Sequence, residues 1–497
     1  MIQRRRVVPI AESHSCYVAF KAKDARFDGR FFVGVSSTGI YCRPVCPAKL
    51  PREENCTFYA SAAAAERAGY RPCLLCRPEL APGSAPIDAT SALAGRAARL
   101  LEENCGSGQN IEEYVHHLGC TARHLRRAFA TAFKVSPIQY LQTCRLLLAK
   151  NLLTDTNLSV TEIAMASGFG SLRRFNDLFK KQYRLPPTTL RRQAAATQTK
   201  DDSITLMLGY RPPYRWEQII GFLDQQAIPG VEIVSDDSYM RTVRYVNEKR
   251  RHLCGWIRVA HRRQKNALTV TVSSALLPVL PFLLARIRTM FDLHCYPDPI
   301  YETLSVMNNI KPGLCVPGTR LPGCFEPFAM SVHAILNRQL TLKAACTLAG
   351  KLAEACGTPV ETGLAGLTYT FPSAHDIAAM DADIADRLAS LGITRSLAGA
   401  ILALAKGIVS GEIDFALCAE PEEQIKKLMS IPGIGSRTAQ YIAMRASGWP
   451  DAFPYTDCGI KKALAPLSEN EIRKLAEAWR PWRSYAAIHL WNSLMNL

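Results

Sequence analysis

Apolar and polar positions follow different rhythms along the chain, and each change of rhythm marks a segment. Residues 14–80 carry short β-like apolar runs broken by Gly, Pro and Cys. Ala81-Pro-Gly-Ser-Ala-Pro86 then reads as a linker. From Asp88 to Arg192 apolar residues recur at the i, i+3, i+4 spacing of amphipathic helices. Gln193 to Ser203 is polar and rich in Ala and Thr, which suits a second linker. Ile204 to about Thr289 alternates between apolar and polar residues with turns between runs, so strands are expected there, with a helix at Trp216–Gln226. The rest, to Leu497, is helical again with Gly and Pro breaks, and no solenoid repeat is visible.

Composition narrows the class of protein. A chain of 497 residues, 48% hydrophobic and 21% charged, is ordinary globular material with room for several cores. Its 60 Lys and Arg against 43 Asp and Glu leave +17, which points to a polyanionic partner. An anionic membrane fits poorly. The most apolar run, Ala275 to Ala285, is short and carries Pro278 and Pro281, so it is expected in a core. The basic opening Met1-Ile-Gln-Arg-Arg-Arg6 is followed by Glu12 and His14 rather than by a hydrophobic region, so a cytoplasmic protein is expected. Most of the 17 cysteines, such as Cys254 and Cys346, are then small reduced core residues.

Clustered cysteines ask for chemistry. Cys42-Arg-Pro-Val-Cys46 and Cys73-Leu-Leu-Cys76 are short pairs separated by a loop, an arrangement that can set four sulfurs on a tetrahedron. Zn²⁺ favours that geometry and that soft ligand set. Spacing alone leaves open a structural zinc that holds a thin-cored domain together. The flanking residues Asp28-Gly29, Val35, Ser37-Thr-Gly-Ile-Tyr-Cys-Arg-Pro44, Arg52-Glu-Glu-Asn55, Phe58-Tyr-Ala60 and Gly69-Tyr-Arg-Pro-Cys73 are more specific. Over this stretch the sequence resembles the methylphosphotriester domain of the Ada methylation-response family. The resemblance implies that Cys42, Cys46, Cys73 and Cys76 bind one zinc and that Cys42 accepts a methyl group. A metal-bound thiol stays deprotonated at neutral pH, and thiolate is the nucleophile. Arg43 and Arg71 flank the ligands and are expected at DNA phosphates, with solvated surface arginines as the plainer alternative.

Two stretches have helix-turn-helix character. Ile111-Glu-Glu-Tyr-Val-His-His-Leu-Gly119-Cys-Thr121 leads into Ala122–Phe133, and Val160-Thr-Glu-Ile-Ala164-Met-Ala-Ser-Gly168-Phe169 leads into Ser171–Tyr183. Arg173 and Arg174, near the start of the second recognition helix, are expected to reach base edges in the major groove. Thr121-Ala-Arg-His-Leu-Arg-Arg127, Phe129, Phe175, Asp177, Phe179, Lys180 and Pro186 resemble the AraC-type DNA-binding domain. That family buries its aromatics, so Phe169, Phe175 and Phe179 are expected in the core.

Further on, Leu428-Met-Ser-Ile-Pro-Gly433-Ile-Gly435-Ser-Arg437-Thr438-Ala439 predicts a helix, a glycine hairpin and a second helix. Gly433 and Gly435 let amides face outward at a helix N-terminus, a nest for a phosphate oxygen. Arg445, Trp449-Pro-Asp451-Ala-Phe-Pro454 and Asp457 follow closely. This resembles the helix-hairpin-helix glycosylase superfamily, and within it the 3-methyladenine DNA glycosylase II (AlkA) family. The likeness reaches back to about Thr205 through Arg211-Pro-Pro-Tyr214, Trp216, Gly221-Phe-Leu223 and Arg320-Leu-Pro-Gly-Cys324. It reaches forward to Trp479-Arg-Pro-Trp482-Arg-Ser-Tyr485-Ala486. It implies Asp457 as the catalytic carboxylate, with Trp482, Tyr441 and Phe222 at pocket-aromatic positions, where core packing is the bland alternative. It also implies DNA contacts at Gly433, Gly435 and Thr438, and a monovalent cation at the hairpin. Three positions depart from the pattern: Gln339 replaces a wedging Leu, Arg437 a pocket Trp, and Cys458 a Tyr. Arg437 also excludes Schiff-base lyase chemistry, because its guanidinium stays protonated.

The expected fold class is therefore multidomain α+β. It comprises a small four-cysteine zinc domain (1–85), an all-α double helix-turn-helix domain (86–195), a small α+β domain (203–289) and an all-α helix-hairpin-helix glycosylase domain (290–497). The expected function is repair of and response to DNA alkylation, combining stoichiometric methyl transfer, transcription regulation and monofunctional excision of alkylated bases. The alternative is a methylation-responsive activator whose glycosylase half is a degenerate DNA-binding platform. The expected partners are alkylated and promoter duplex DNA and RNA polymerase, with no membrane, at the nucleoid of a bacterial cytoplasm. No Pro-Cys-His-Arg motif occurs, so O6-alkylguanine repair is not expected.

Overall fold

The computed structural model describes residues 13–83, 93–106, 118, 120–193, 202–246, 252–380, 384–415 and 421–495. The opening basic segment, half of the first expected linker, most of the second and residues 111–117 of the first helix-turn-helix motif lie outside the described residues. The chain divides into two compact units. One holds residues 1–201 with 205–212 and 278–285, and the other holds 202–204, 213–277 and 286–497. Among the described residues no helix is long and apolar enough to cross a membrane.

The first unit opens with α1 (Ser13–Lys21) and a small sheet of β1 (Phe32–Val35), β2 (Ile40–Cys42), β3 (Cys56–Tyr59) and β4 (Arg71–Pro72), in the order β3-β1-β2-β4. β1 is buried along its length and pairs antiparallel with both neighbours. β2 and β4 run parallel, with Ile40 opposite Arg71 and Tyr41 opposite Pro72. This register makes Cys42 and Cys73 leave the sheet side by side, and the Cys73 amide donates to the Tyr41 carbonyl at 3.0 Å. Helix α2 (Ala62–Arg67) is capped by the Ser61 hydroxyl.

Helices α3 (Leu93–Glu103), α4 (Ala122–Phe133), α5 (Pro137–Asp155), α6 (Val160–Ala166), α7 (Leu172–Tyr183) and α8 (Pro187–Gln193) complete the unit. Thr121 and Ser171 cap α4 and α7, and both helices end on a left-handed residue, Lys134 and Arg184. Each buries an apolar stripe at helical spacing: Leu125 and Phe129 on α4, and Phe175, Phe179 and Tyr183 on α7. α5 and α6 begin with capping boxes, Ser136 with Gln139 and Ser159 with Glu162.

Buried polar contacts join the sheet part of this unit to its helices. Lys150 on α5 meets Glu79 at 2.6 Å, and both side chains are no more than 2% exposed. Arg77, held at φ +53, reaches Asn151, Thr154 and Asp155 on the same helix. Glu66 on α2 accepts hydrogen bonds from the Tyr41 and Thr143 hydroxyls, and burial pushes its carboxyl up to about 8.

β5 (Ser203–Gly209) alternates half-buried and buried residues, as the period-two pattern predicts. In the second unit β6 (Glu232–Ser235), β7 (Ser238–Val246), β8 (His252–Arg262) and β9 (Ala267–Ser273) pair antiparallel in sequence order. Helix α9 (Trp216–Gln225) lies on β6 and β7. The helical part centres on α10 (Pro327–Leu336), buried at nearly every residue and begun by a proline in its first turn. α11 (Leu342–Cys356), α12 (Arg395–Val409) and α14 (Ser436–Arg445) pack around it. α13 (Pro421–Met429) precedes the glycine hairpin, and α15 (Cys458–Ala463), α16 (Glu469–Ala476) and α17 (Arg483–Met495) close the chain. The run 275–285 is mostly buried and Cys346 is a core residue, as expected, whereas Cys254 is half-buried.

Candidate active sites

Cys42, Cys46, Cys73 and Cys76 bring their sulfurs within 4.8 Å of one another, all in buried side chains. Tetrahedral Zn–S bonds of about 2.3 Å would set the sulfurs about 3.8 Å apart, so the cluster fits that ion after a small contraction. Hydrogen bonding among the thiols splits their proton affinities, pushing Cys42 above and pulling Cys73 below the ordinary value. A central cation takes the place of those shared protons. The Arg43 amide donates to Cys76 Sγ at 3.3 Å. Its guanidinium is ion-paired to Asp28 and donates to the Cys76 carbonyl at 3.0 Å, with the side chain only 13% exposed. Its charge is paired within the fold, and the side chain braces the turn that carries Cys76. Arg71 is half-buried on β4.

On the helical side, Arg173 and Arg174 are exposed in the first turn of α7, while Phe169, Phe175 and Phe179 are buried as expected. The second motif is thus laid out with its cations outward and its aromatics in the core.

In the second unit the hairpin connects α13 to α14. Gly433 adopts φ +94, where a side chain would be strained and would also meet the Arg338 guanidinium. Gly435 is the N-cap of α14 and supplies no side chain to cap it, which leaves the first-turn amides to an outside acceptor. Arg338 donates to the Gly433 carbonyl and ties the turn after α10 to the hairpin. Gln339, next in that turn, is exposed. Behind the hairpin lies a cavity of about 280 Å³, lined by Phe222, Arg437, Thr438, Tyr441, Asp457 and Trp491 among others. Small-ligand sites begin at about 300 Å³, so the cavity suits one base-sized ligand.

Asp457 caps α15 and enters the cavity from that end. Its Oδ1 accepts from the Gly459 amide (2.9 Å), the Ile460 amide (3.2 Å) and Trp491 Nε1 (2.9 Å). The other oxygen, Oδ2, lies 4.0 Å from Arg437 Nη1. One carboxylate oxygen is therefore anchored and the other is left for chemistry. Tyr441 donates to Gln226 Oε1 at 2.8 Å, and Arg445 donates to the same oxygen at 2.9 Å.

Phe222 and Tyr441 thus stand where the sequence places them, but Trp482 does not. It is 6% exposed, packed edge-on against Tyr485 at 5.8 Å and absent from the cavity wall. The tryptophan of the site is Trp491, one residue before the last turn of α17. The dense Trp479-to-Ala486 motif draws attention to a residue that serves the core. The signal for Trp491 is a lone indole followed by the half-exposed Leu494 and Met495 at helical spacing. Thr438, expected at the DNA backbone, is buried with its side chain on the cavity wall. Gln226 and the buried Arg445 orient Tyr441, roles that the sequence does not reveal.

Four family profiles match the chain. They are the metal binding domain of Ada (15–79), a helix-turn-helix domain (114–193), the AlkA N-terminal domain (205–326) and the HhH-GPD superfamily base excision DNA repair protein (332–481). The chain is 33% identical over 494 residues to the probable bifunctional transcriptional activator/DNA repair enzyme AlkA of Mycobacterium tuberculosis, covering 96% of each. It is 32% identical over 284 residues to DNA-3-methyladenine glycosylase 2 of Escherichia coli, which takes in 57% of this chain and 95% of that one. It is 29% identical over 178 residues to the bifunctional transcriptional activator/DNA repair enzyme AdaA of Bacillus subtilis, 35% of this chain and 81% of that one.

Proposed function

The chain belongs to the family of bifunctional AlkA-type transcriptional activator/DNA repair enzymes, and from that premise we propose how its residues divide the work. The second unit is a DNA glycosylase of the 3-methyladenine type, and Asp457 is its catalytic carboxylate. The observation that carries this role is an aspartate anchored through Oδ1, whose Oδ2 faces Arg437 at 4.0 Å in a base-sized cavity walled by Phe222, Tyr441 and Trp491. The damaged nucleotide is extruded from the duplex, and its base is held between aromatic faces. Oδ2 faces C1′, stabilises the positive sugar as the C1′–N bond breaks, and orients the attacking water. The amides of Gly435 and the first turn of α14 hold a backbone phosphate, and Gln339 fills the gap left in the stack. A monovalent cation at the hairpin belongs to the same proposal.

In the first unit one zinc is held by Cys42, Cys46, Cys73 and Cys76 and keeps the thiols deprotonated when bound. Cys42 Sγ attacks the methyl carbon of a DNA phosphotriester. The C–S bond forms as the C–O bond breaks, and a phosphodiester leaves. A thioether is not hydrolysed, so each protein molecule reacts once. The cluster loses one negative charge in the process, repulsion from the DNA backbone falls, and binding through Arg71, Arg173 and Arg174 tightens. RNA polymerase is the partner this regulatory reading calls for.

The test is base release from alkylated duplex DNA by the wild type and by Asp457→Asn. Release by the wild type alone is expected. No release by the wild type would favour the degenerate-platform alternative. For the first unit, methyl transfer from phosphotriester DNA should vanish in Cys42→Ala, and persistence would overturn the acceptor assignment.

A further inference from the structure

Arg437 and Asp457 are the charged side chains on the cavity wall, and they face each other at 4.0 Å. A second cation stands behind the aromatic wall. The Arg445 guanidinium lies 4.6 Å from the Phe222 ring centroid and 5.5 Å from that of Tyr441. Arg445 is buried, its hydrogen bonds go to the uncharged Gln226, Tyr441 and Gly323 carbonyl, and its Nε has no partner among the described residues. Two of the rings that would attract a cationic base are thus already engaged by a cation. We infer, resting on the glycosylase reading above, that Arg437 biases this pocket toward uncharged modified bases and against cationic N-alkylated ones.

The chemistry of bond cleavage gives the reason. When a cationic base departs, the electron pair of the C1′–N bond neutralises it, and only the sugar becomes charged. A guanidinium in the base site then repels the ground state and gains nothing in the transition state. When an uncharged base departs, the same electron pair leaves it anionic while the sugar becomes cationic. Asp457 and Arg437 present the matching charges, negative at the sugar and positive at the base. Arg437 keeps its proton and stabilises the base anion by hydrogen bonds to a ring nitrogen or carbonyl oxygen. Water adds its oxygen to C1′. Of its two protons, one remains on the new hydroxyl and the other reaches the base nitrogen through solvent.

The experiment measures single-turnover excision by the full-length protein from duplexes carrying hypoxanthine or 1,N6-ethenoadenine (uncharged) and 7-methylguanine or 3-methyladenine (cationic). Arg437→Gln should lower the uncharged-to-cationic rate ratio by about tenfold or more, the weight of a single charge contact. Arg437→Lys, which restores the charge, should return most of that ratio. The Arg437 side chain is one-third exposed and makes no buried hydrogen bond in the described residues, so both variants should fold. A ratio unmoved in Arg437→Gln, with release still abolished by Asp457→Asn, would overturn this inference and leave the glycosylase standing. No release of any of the four bases by the wild type would overturn both.

Discussion

The cysteine cluster takes its sulfurs from the ends of two parallel strands and the turns just after them. The base pocket takes its walls from α9, the end of α10, α14, α17 and the turn before α15. The first centre is therefore complete wherever one small sheet is complete, and a bound cation contributes directly to folding it. The second exists only when helices far apart in sequence settle together, and it needs supporting residues such as Gln226 and Arg445 to hold the wall in place. Centres of the first kind should fail through their ligands. Those of the second kind should fail through their neighbours.

Chelation should have the largest effect. Structural zinc sites contribute on the order of 10 kcal/mol of folding free energy, so metal removal should unfold the cysteine domain, seen as a lost calorimetric transition. Base release should survive. If chelation abolished release as well, the two centres would not be separable. Lys150→Met comes next. It removes one of the two cations on buried Glu79 and leaves Arg77 Nε at 2.9 Å, so the loss should fall below the about 3–5 kcal/mol of an uncompensated buried charge. Denaturant unfolding of the first unit should show that loss, and adding Glu79→Leu should recover most of it. Asp457→Asn should reduce base release by about 10²–10³-fold or more with melting unchanged, because Asn caps a helix as well as Asp does. A melting shift of several degrees would mean that the residue acts through the fold. Trp491→Phe keeps a ring but removes the Nε1 donor to Asp457. It should lower the excision rate about tenfold, whereas Trp482→Phe should chiefly reduce stability.

A separate effect is a pH dependence in the first unit. Glu66 titrates near 8 in the fold, above its ordinary value of 4.5. The folded state then binds the extra proton, so the stability Glu66 supplies is full below about 4.5 and is lost as pH rises through about 8. Glu66→Gln should flatten that decline by a few kcal/mol between pH 5 and 8.5, at roughly 1.4 kcal/mol per pH unit. Equal slopes in urea unfolding of the two proteins would exclude Glu66 as the source.

The same contrast governs what could be read from sequence. Four cysteines in two short pairs, two capped recognition helices and the Gly433–Gly435 hairpin are contiguous signals, and each stands where its local pattern puts it. Asp457, on the cavity wall, was legible because it follows that hairpin closely. Trp491 was not, because its neighbours in the chain are core residues and it meets Asp457 only across a helix packing. The partner of Arg43 was illegible for the same reason: Asp28, which neutralises it, lies earlier in the chain on a different turn.

The buried pair Glu79–Lys150 also bears on how such a protein could be assembled by gene fusion or taken apart by an engineer. Its acid lies three residues beyond Cys76 and its base in the middle of a helix of the DNA-reading segment. A crossover placed in the loop between them would look neutral on a domain map, yet it would leave Lys150 without its acid and Glu79 with Arg77 alone. A transplant of the cysteine module should therefore carry Arg77 and Glu79 together with a recipient helix bearing Lys150, Asn151 and Asp155, or have both ends of the pair replaced by apolar residues. Natural recombinants should show the same linkage, with the acid and the base inherited as one trait.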